Sequence, residues 1–244
     1  AQLIYREWFV KFRFPGHEGV KMVESALGMI PEGWEPSRVA SVATVQRGRS
    51  YRGNELAESG GMPFVNLKCV DRNGGFRSSG LKRFVGEYKA AHLVRRDDIV
   101  MAVTDMTQER RIVARAARIP DFGENEAVIY MDLVKIQAAP EINAQFLYGL
   151  FRFSSFPDEV KQYANGANVL HLHPDRIGEF PFPLPPAQLR DGYGDTASRH
   201  YALCDNLQKK NTLLRQTRDL LLPSLISGQL DVSQLDIDVG EAAA

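Results

Sequence analysis

The stretch EFPFPLPPAQLRDG, residues 179–192, decides how this chain is organised. It carries a run of closely spaced prolines, and each proline fixes φ at about −65° and removes a backbone hydrogen-bond donor. Residues 179–186 are therefore predicted to be stiff, extended chain. The pattern before this stretch mixes short strands and helices, whereas the pattern after it is that of one long helix. We predict a rigid exit from a folded domain into a spacer helix.

The composition is that of a folded protein with an uneven distribution of charge. The 244 residues are 44% hydrophobic and 25% charged, which is enough for one or two hydrophobic cores. Thirty basic and thirty acidic side chains cancel over the whole chain, but residues 46–118 contain fifteen Lys and Arg against eight Asp and Glu. This local excess of positive charge predicts a surface that attracts nucleic acid.

Membrane and metal classes are disfavoured by the sequence. No apolar run reaches the length of a membrane span, about 18 residues, and the apolar start contains Arg6, Glu7 and Lys11, so a cytoplasmic location without a membrane partner is expected. Cys69 and Cys204 lie far apart without a CxxC spacing, so both are predicted to be single buried thiols and not part of a disulfide framework or zinc site.

The first part of the chain predicts a short, very apolar helix. Between residues 3 and 12, Ile4, Trp8 and Phe12 recur every four residues and would share one helical face. A helix this short is marginal alone, so that face must pack on something, for which a partner or a segment outside this chain are both candidates. Residues 15–35 have the composition of a linker leading to Trp34.

Residues 39–185 predict a mixed α+β domain with a twisted sheet, of a normal single-domain size. Residues 127–137 are rich in β-branched and aromatic side chains, as a buried strand requires, and residues 142–164 read as helices broken near Pro157. Further short segments fit a helical turn and strands, at residues 37–48, 62–70 and 97–104.

A long coiled-coil-forming helix is predicted from Asp195 to Leu222, where Pro223 would stop it. Its leucines recur at seven-residue spacing, which keeps one face toward a partner helix. A helix that lies on its own domain remains the alternative. The predicted helix interface consists of Ile4, Trp8 and Phe12 in the first helix and Leu203, Leu207, Leu214 and Leu221 in the last.

Three stretches together resemble the specificity subunit of type I restriction-modification systems. They are LIYREWFVKFRFPGHE with GMIPEGWE (residues 3–18 and 28–35), FPFPLPP (180–186) before a long helix, and LLLPSLISGQLDV (220–232). In that family a target recognition domain opens after a Gly-Trp-like signal and closes at a proline-rich segment, and conserved helices pair as an antiparallel coiled coil. One departure is that Gly192 and Gly194 stand where the family's helix is continuous.

The resemblance implies that the chain is the C-terminal half of such a subunit. It would comprise the end of the central conserved helix with a linker (1–31), a DNA-binding target recognition domain (32–186), a distal conserved helix (187–230) and a tail (231–244). It would recognise one half of a bipartite site in double-stranded DNA without catalysis, docking methyltransferase (M) subunits and, through them, the restriction (R) subunit. S-adenosylmethionine would bind to the methyltransferase partner, and this chain would bind no cofactor. Two copies could pair through their long helices.

Motifs for catalysis are weak in this sequence. LPPAQ, residues 184–188, lacks the amide and the aromatic residue that a methyltransferase uses to hold a flipped base, so it is interpreted as structural. Asp121 with Glu159 and Lys161 gives the letters of a nuclease pattern, which chance explains better. His171 and His173 could share a metal on a strand, but no third ligand has a suitable spacing.

Polar loops carry the side chains expected to contact DNA. Arginine can grip phosphate or guanine, and asparagine can pair with adenine. Each loop taken singly could be only a solvated surface, and the local positive charge favours DNA binding for the group. The predicted DNA-binding residues are Arg47, Arg49, Ser50, Tyr51, Arg52, Arg77, Ser78, Lys82, Thr104, Thr107, Gln108, Arg110, Arg111, Asn165, Asn168 and His171.

Two rival functions remain open at this level. A coiled-coil assembly module would keep the helices and read no DNA, and a self-contained methyltransferase or nuclease would bind its own cofactor or metal. Dimerisation without DNA affinity would indicate the first rival, and saturable binding of S-adenosylmethionine would indicate the second.

Overall fold

The computed structural model describes residues 1–121 and 123–230. The chain divides into two compact units, Ala1–His200 and Tyr201–Ala244. The predicted tail at 231–244 lies outside the described residues. Within the part of the chain that is described, no helix combines the length and the apolar character that crossing a membrane requires.

The first unit is a mixed α and β domain, which confirms the predicted fold class. Its strands are β1 Met22–Ser25, β2 Gly28–Pro31, β3 Glu35–Arg38, β4 Ala43–Arg47, β5 Leu56–Ala57, β6 Met62–Val65, β7 Lys82–Phe84, β8 Leu93–Arg95, β9 Ile99–Ala102, β10 Thr104–Asp105, β11 Ala116–Arg118, β12 Glu126–Ile129, β13 Leu133–Ala138, β14 Leu170–His171 and β15 Pro181–Leu184. Its helices are α1 Gln2–Tyr5, α2 Val39–Val42, α3 Ala144–Phe153, α4 Phe156–Val160 and α5 Pro174–Gly178, and α6 Ala187–Ile226 begins in this unit.

Two sheets hold the domain together. The first has the order β11-β9-β13-β4 and is antiparallel throughout. The second has the order β5-β7-β6-β12-β8, in which only the pairing of β12 with β6 is parallel. Smaller antiparallel pairs join β1 to β2, β10 to β14 and β15 to β3. The main buried cluster contains Val65, Cys69, Val100, Ile119 and Ile129, drawn from strands and turns of both sheets.

The segment at 127–137, predicted as one buried strand, forms two. β12 belongs to the five-stranded sheet and β13 to the four-stranded sheet. The Leu133 amide donates to the Tyr130 carbonyl at 2.9 Å, which closes a turn between them. The apolar pattern on both sides of this turn could not separate one strand from two, because both strands are buried.

The helices at 142–164 are confirmed, with the predicted break. Asn143 caps α3 by accepting hydrogen bonds from the backbone of Gln145 and Phe146. α3 ends at Phe153, and Pro157 lies in the first turn of α4, where its missing N–H costs no hydrogen bond. A Cβ on Gly149 would overlap the Tyr5 ring, so glycine lets the N-terminal segment lie directly against α3.

The N-terminal helix differs from the prediction in length and in the face that it buries. α1 continues as a π-helical turn to Val10, and Phe12 follows it with a φ of 59°. The buried residues are Tyr5 and Phe9, whereas Ile4, Trp8 and Phe12 are half-buried. Phe9 packs on Phe146 and Tyr193, with ring centroids 5.0 and 5.4 Å apart. The aromatic face therefore packs on its own domain.

Residues 15–35, predicted to be a linker, contain the β1–β2 hairpin. Met22 lies opposite Pro31 and Ser25 opposite Gly28. The Ser25 hydroxyl donates to the Gly28 carbonyl at 2.7 Å and accepts from the Leu27 amide at 3.0 Å, which fixes the turn. This local hydrogen bonding of a serine is the signal that the composition did not reveal.

The proline stretch is extended, as predicted, because β15 pairs with β3. Pro183 lies opposite Pro36, a pairing tolerated only where no further strand needs their missing donors. α6 then begins at Ala187, not at Asp195, and it continues through Gly192, Gly194 and Pro223.

Both cysteines are free, as predicted, but only one is buried. Burial raises the pKa of the Cys69 thiol to about 11. Cys204 is exposed, which corrects the prediction for that thiol.

Candidate nucleic-acid interface

Two of the polar loops predicted to contact DNA lie side by side. In the β10–β14 pair, Thr104 is opposite His171, and the backbone of His171 also exchanges hydrogen bonds with Asn165 at 2.8 and 3.1 Å. The Gln108 side chain donates to the carbonyls of residues 166 and 167 at 3.2 and 3.1 Å. Arg110 donates to the Ala164 carbonyl at 3.3 Å. We call residues 104–111 and 164–171 together the composite loop surface.

Six of the eight side chains predicted on this surface are exposed. Thr107, Gln108, Arg111, Asn165, Asn168 and His171 are exposed. Thr104 is buried beneath them, and Arg110 is half-buried with a φ of 50° and its guanidinium turned to the protein. The side-chain nitrogen of Gln108 makes both of these hydrogen bonds, and its amide oxygen takes part in neither.

A buried carboxylate that sequence reasoning overlooked shapes the first loop. Asp105 is 3% exposed and accepts hydrogen bonds from both the amide and the hydroxyl of Thr107 at 2.9 Å and from the Ile112 amide at 2.8 Å. Burial acts to raise the pKa of the Asp105 carboxyl, but the hydrogen bonds from Ile112, Thr107 and Val113 outweigh it and hold that pKa below its ordinary value. The loop is therefore built around a fixed negative charge.

A second overlooked carboxylate lies beneath His171. The Thr104 hydroxyl donates to Asp132 at 2.9 Å and lies 3.4 Å from Nδ1 of His171. The Val103 amide donates to the Asp132 carbonyl at 2.9 Å, so the β12–β13 turn is held against β10. Neither carboxylate was found from the sequence, where an isolated Asp looks like any surface charge.

A cleft of about 430 Å³ runs between the 104–111 loop and residues 67–77. Four exposed cationic side chains line it, Lys68, Arg72, Arg77 and Arg111, together with the carboxylates of Asp71, Asp105 and Glu109. Arg77 donates to the Lys68 carbonyl at 3.0 Å, and Arg111 forms an ion pair with Glu109. Arg77 and Arg111 were predicted, whereas Lys68 and Arg72 were missed although both lie in the basic segment, residues 46–118. Met106, 67% exposed, stands at the mouth of this cleft.

Ser78 and Lys82 follow the cleft-lining residues 67–77 in the sequence, but neither lines this cleft. Ser78 begins a short 3-10 turn and is exposed. Lys82 is exposed on β7 and lines a different cleft, together with Arg83 and Glu58.

The loop after β4 is hydrogen-bonded to the β12–β13 turn. The Gly48 amide donates to the Leu133 carbonyl at 3.0 Å and the Met131 amide to the Arg49 carbonyl at 3.0 Å. Arg47, Ser50 and Arg52 are exposed and remain candidates for DNA contact.

Arg49 and Tyr51 instead have internal partners. Arg49 donates to Glu55 at 2.9 Å, and its guanidinium carbon lies 5.0 Å from the centroid of the Phe84 ring. Hydrogen bonds from the Arg52 backbone and from Arg49 hold the pKa of Glu55 below its ordinary value. The half-buried Tyr51 packs on Phe64, with ring centroids 5.2 Å apart. These contacts favour a structural role for Arg49 over contact with DNA.

The histidines have separate local roles. His173 precedes α5 and accepts a hydrogen bond from the Asp175 amide at 3.4 Å, whereas His171 lies over Thr104. Among the described residues, no group of three His, Cys, Asp or Glu side chains could hold a metal ion.

In the second unit, α6 presents its leucines to solvent. Two of the predicted interface residues, Leu207 and Leu214, are 49% and 67% exposed, and Leu203 and Leu221 are exposed as well. The seven-residue spacing places these side chains on one stripe of the helix.

The chain matches a family model over most of its length. The family model described as "Type I restriction modification DNA specificity domain" matches residues 31–215. The specificity subunit of the type I restriction enzyme MjaIX from Methanocaldococcus jannaschii is 23% identical over 239 residues, 95% of this chain and 52% of that protein. The MjaVIII specificity subunit of the same organism is 22% identical over 225 residues, 87% of this chain and 50% of that protein.

A solved structure shows the same fold. The S subunit of a type I restriction-modification system from M. genitalium superposes with a TM-score of 0.59 at 14% identity, covering 80% of this chain and 46% of that one. The chain thus spans about half the length of the curated relatives that it matches.

Proposed function

Because the chain belongs to the type I restriction-modification DNA specificity domain family, we propose that it is a non-catalytic subunit that reads one half of a bipartite DNA target. The observation that carries this proposal is the composite loop surface. Two loops that are far apart in the sequence, each rich in base-reading side chains, are hydrogen-bonded into one surface beside a cleft that carries four exposed cations.

The two parts of this surface suit different contacts. Polar side-chain amides on a constrained backbone suit hydrogen bonding to base edges in the major groove. The surface provides such groups at Asn165, Asn168 and the amide oxygen of Gln108. The cations of the cleft are exposed side chains on turns, which suits contacts to phosphates. Base contacts would set the sequence, and phosphate contacts would set most of the affinity.

The long helix supports the second part of the proposal, which is assembly. The exposed leucine stripe of α6 is an unusually apolar surface for a helix in water, and its spacing fits pairing with another helix. We propose that it docks methyltransferase subunits, which bind S-adenosylmethionine and in turn recruit the restriction subunit. A second copy of the chain is an alternative partner for the same stripe.

Selection from a pool of randomised duplexes tests DNA reading. The chain is incubated with the pool, with and without its methyltransferase partner, over a range of salt concentrations, and the bound duplexes are sequenced. The proposal predicts a recurring short motif. Binding without any preferred sequence at every salt concentration contradicts it, and helix-mediated assembly without DNA affinity would identify the chain as an assembly module.

A matched pair of variants sharpens this selection. Asn165→Ala with Asn168→Ala is expected to relax the motif at one or two positions, since each good base contact contributes about 1 to 3 kcal/mol of discrimination. Lys21→Ala, an exposed cation outside the basic segment, is the control and should leave the motif unchanged. An identical motif for the double variant and the control would remove these asparagines from base reading.

A further inference from the structure

His171 is held in one orientation by the strand that carries it. Its backbone pairs with Thr104 on one side and Asn165 on the other, and the flanking residues Leu170 and Leu172 are fully buried. Because side chains alternate along a strand, burial of both neighbours directs the imidazole outward. His171 is exposed, in line with this, on the composite loop surface.

The Thr104 hydroxyl beneath the imidazole can donate one hydrogen bond, and it donates that bond to Asp132. Thr104 is 3% exposed, so water has little access to its side chain. Its Oγ1 lies 2.9 Å from Oδ1 of Asp132, and a carboxylate only accepts hydrogen bonds, so the hydroxyl must be the donor. At the 3.4 Å contact with Nδ1 of His171, the same oxygen is therefore left as an acceptor.

This arrangement favours the tautomer of His171 that is protonated on Nδ1. A neutral imidazole has one N–H donor and one acceptor nitrogen, and the bond made by one nitrogen sets the role of the other. Donation from Nδ1 to Thr104 leaves Nε2 with a lone pair that points to solvent. Thr104 and Asp132 are positioning residues in this arrangement, since they act on a ligand only through the histidine.

We propose that His171 recognises an exocyclic amino group of a base through the acceptor nitrogen Nε2. The amino groups that the major groove presents are N6 of adenine and N4 of cytosine, and these are the base donors that an acceptor there can meet. This inference rests on the proposed function, because it specifies what one side chain of the DNA-reading surface detects. It excludes guanine and thymine at that position, which offer acceptors or a methyl group instead.

The tautomer is tested without DNA by nitrogen-15 NMR of histidine-labelled chain at pH 8. The chain has five histidines, and His171→Ala assigns the signal by its loss. We expect Nδ1 of His171 to carry the proton in the wild type and in Thr104→Ser, which keeps the hydroxyl. Thr104→Val, which removes it, is expected to shift the proton toward Nε2. A wild-type imidazole protonated on Nε2 overturns the proposal.

Binding to modified duplexes tests recognition of the amino group. In the selected half-site, each adenine is replaced in turn by the purine deoxynucleoside without the 6-amino group, and each cytosine by the 2-pyrimidinone analogue without the 4-amino group. Wild-type chain should bind at least one of these duplexes about five to ten times more weakly, the loss of one hydrogen bond, and the duplex whose effect depends on His171 marks the base that it contacts. The base at that position distinguishes adenine from cytosine as the partner.

His171→Ala separates this effect from changes in the duplex. It should bind the unmodified site about five to ten times more weakly than the wild type and should lose sensitivity to the one analogue that matters. Thr104→Ser should retain the sensitivity, and Thr104→Val should lose it if it folds. Unchanged binding of the wild type to every analogue, or full sensitivity of His171→Ala at every position, overturns the proposal while sequence-specific binding stands. Failure to select any motif counts against the proposed function itself.

Discussion

At the scale of single residues, Asp105 is the side chain on which the 104–111 loop depends. Asp105→Asn keeps the size and replaces one acceptor oxygen with a donor that would face backbone N–H groups. We expect a loss of about 2 kcal/mol in the free energy of unfolding, since hydrogen bonds to a charged group are stronger than neutral ones. Denaturant unfolding measures this loss, and amide hydrogen exchange of residues 106–112 should show the loop opening.

The same carboxylate predicts how stability depends on pH. The pKa of Asp105 is lower in the folded protein than its ordinary value of 3.8, so its contribution is fully present above that value and is lost as the pH falls through the folded pKa. Stability of the wild type should therefore fall more steeply below about pH 4 than stability of Asp105→Asn. Parallel curves for the two proteins would show that the charge of Asp105 does not stabilise the loop.

Arg49 was predicted to contact DNA, but its side chain has partners within the protein, Glu55 and the Phe84 ring. Arg49→Ala removes the partner of Glu55 and the cation above Phe84, and we expect a melting temperature lower by roughly 2 to 4 °C. The exposed Arg52 is the matched control, and Arg52→Ala should weaken DNA binding with an unchanged melting temperature. Equal melting temperatures of the two variants would contradict a structural role for Arg49 and make it a candidate for DNA contact again.

At the scale of elements, the start of α6 depends on one of its two glycines. A Cβ on Gly194 would overlap the side-chain amide of Asn143, which caps α3, whereas a Cβ on Gly192 would meet open space. Gly194→Ala should destabilise the protein by about 1 kcal/mol through the lost cap. Gly192→Ala should stabilise it by about 0.5 to 1 kcal/mol, because alanine is the better helix former. Thermal unfolding of the pair checks both signs, and a stabilised Gly194→Ala would contradict the close contact.

This glycine also shows what the sequence could and could not predict. Periodicity revealed the helix and its leucine stripe, but two glycines near its start indicated a break, since a single sequence does not show that α3 lies against Gly194. Prolines revealed the extended β15 directly, because their effect on the backbone is local. The β1–β2 hairpin was missed, since its four-residue strands are too short for a clear alternation.

The candidate site divides in the same way. Residue types and local charge selected two loops that the structure brings together, and their contact with DNA stays a prediction. Their pairing across 60 residues was not predictable, nor was the burial of Asp105 and the placement of Asp132 under Thr104. These features arise from the order of strands in the folded domain, which a charge count does not contain.

At the scale of the whole molecule, affinity and sequence preference should respond to different residues. Lys68→Ala, Arg72→Ala and Arg77→Ala should each weaken DNA binding and reduce the slope of log affinity against log salt by about one. They should leave the selected motif unchanged, because a phosphate contact is blind to the base. Fluorescence anisotropy at several salt concentrations gives the slopes. A change of motif in these variants, with unchanged slopes, would reverse the assignment of the two kinds of contact.

Methylation mapping in cells tests the central claim, that this chain specifies a DNA sequence. The methyltransferase partner is expressed alone, with this chain, or with its Asn165→Ala and Asn168→Ala double variant, and modified bases are located across the genome. We predict a single methylated motif that appears only with the chain and becomes degenerate with the double variant. Identical maps with and without the chain would contradict the account.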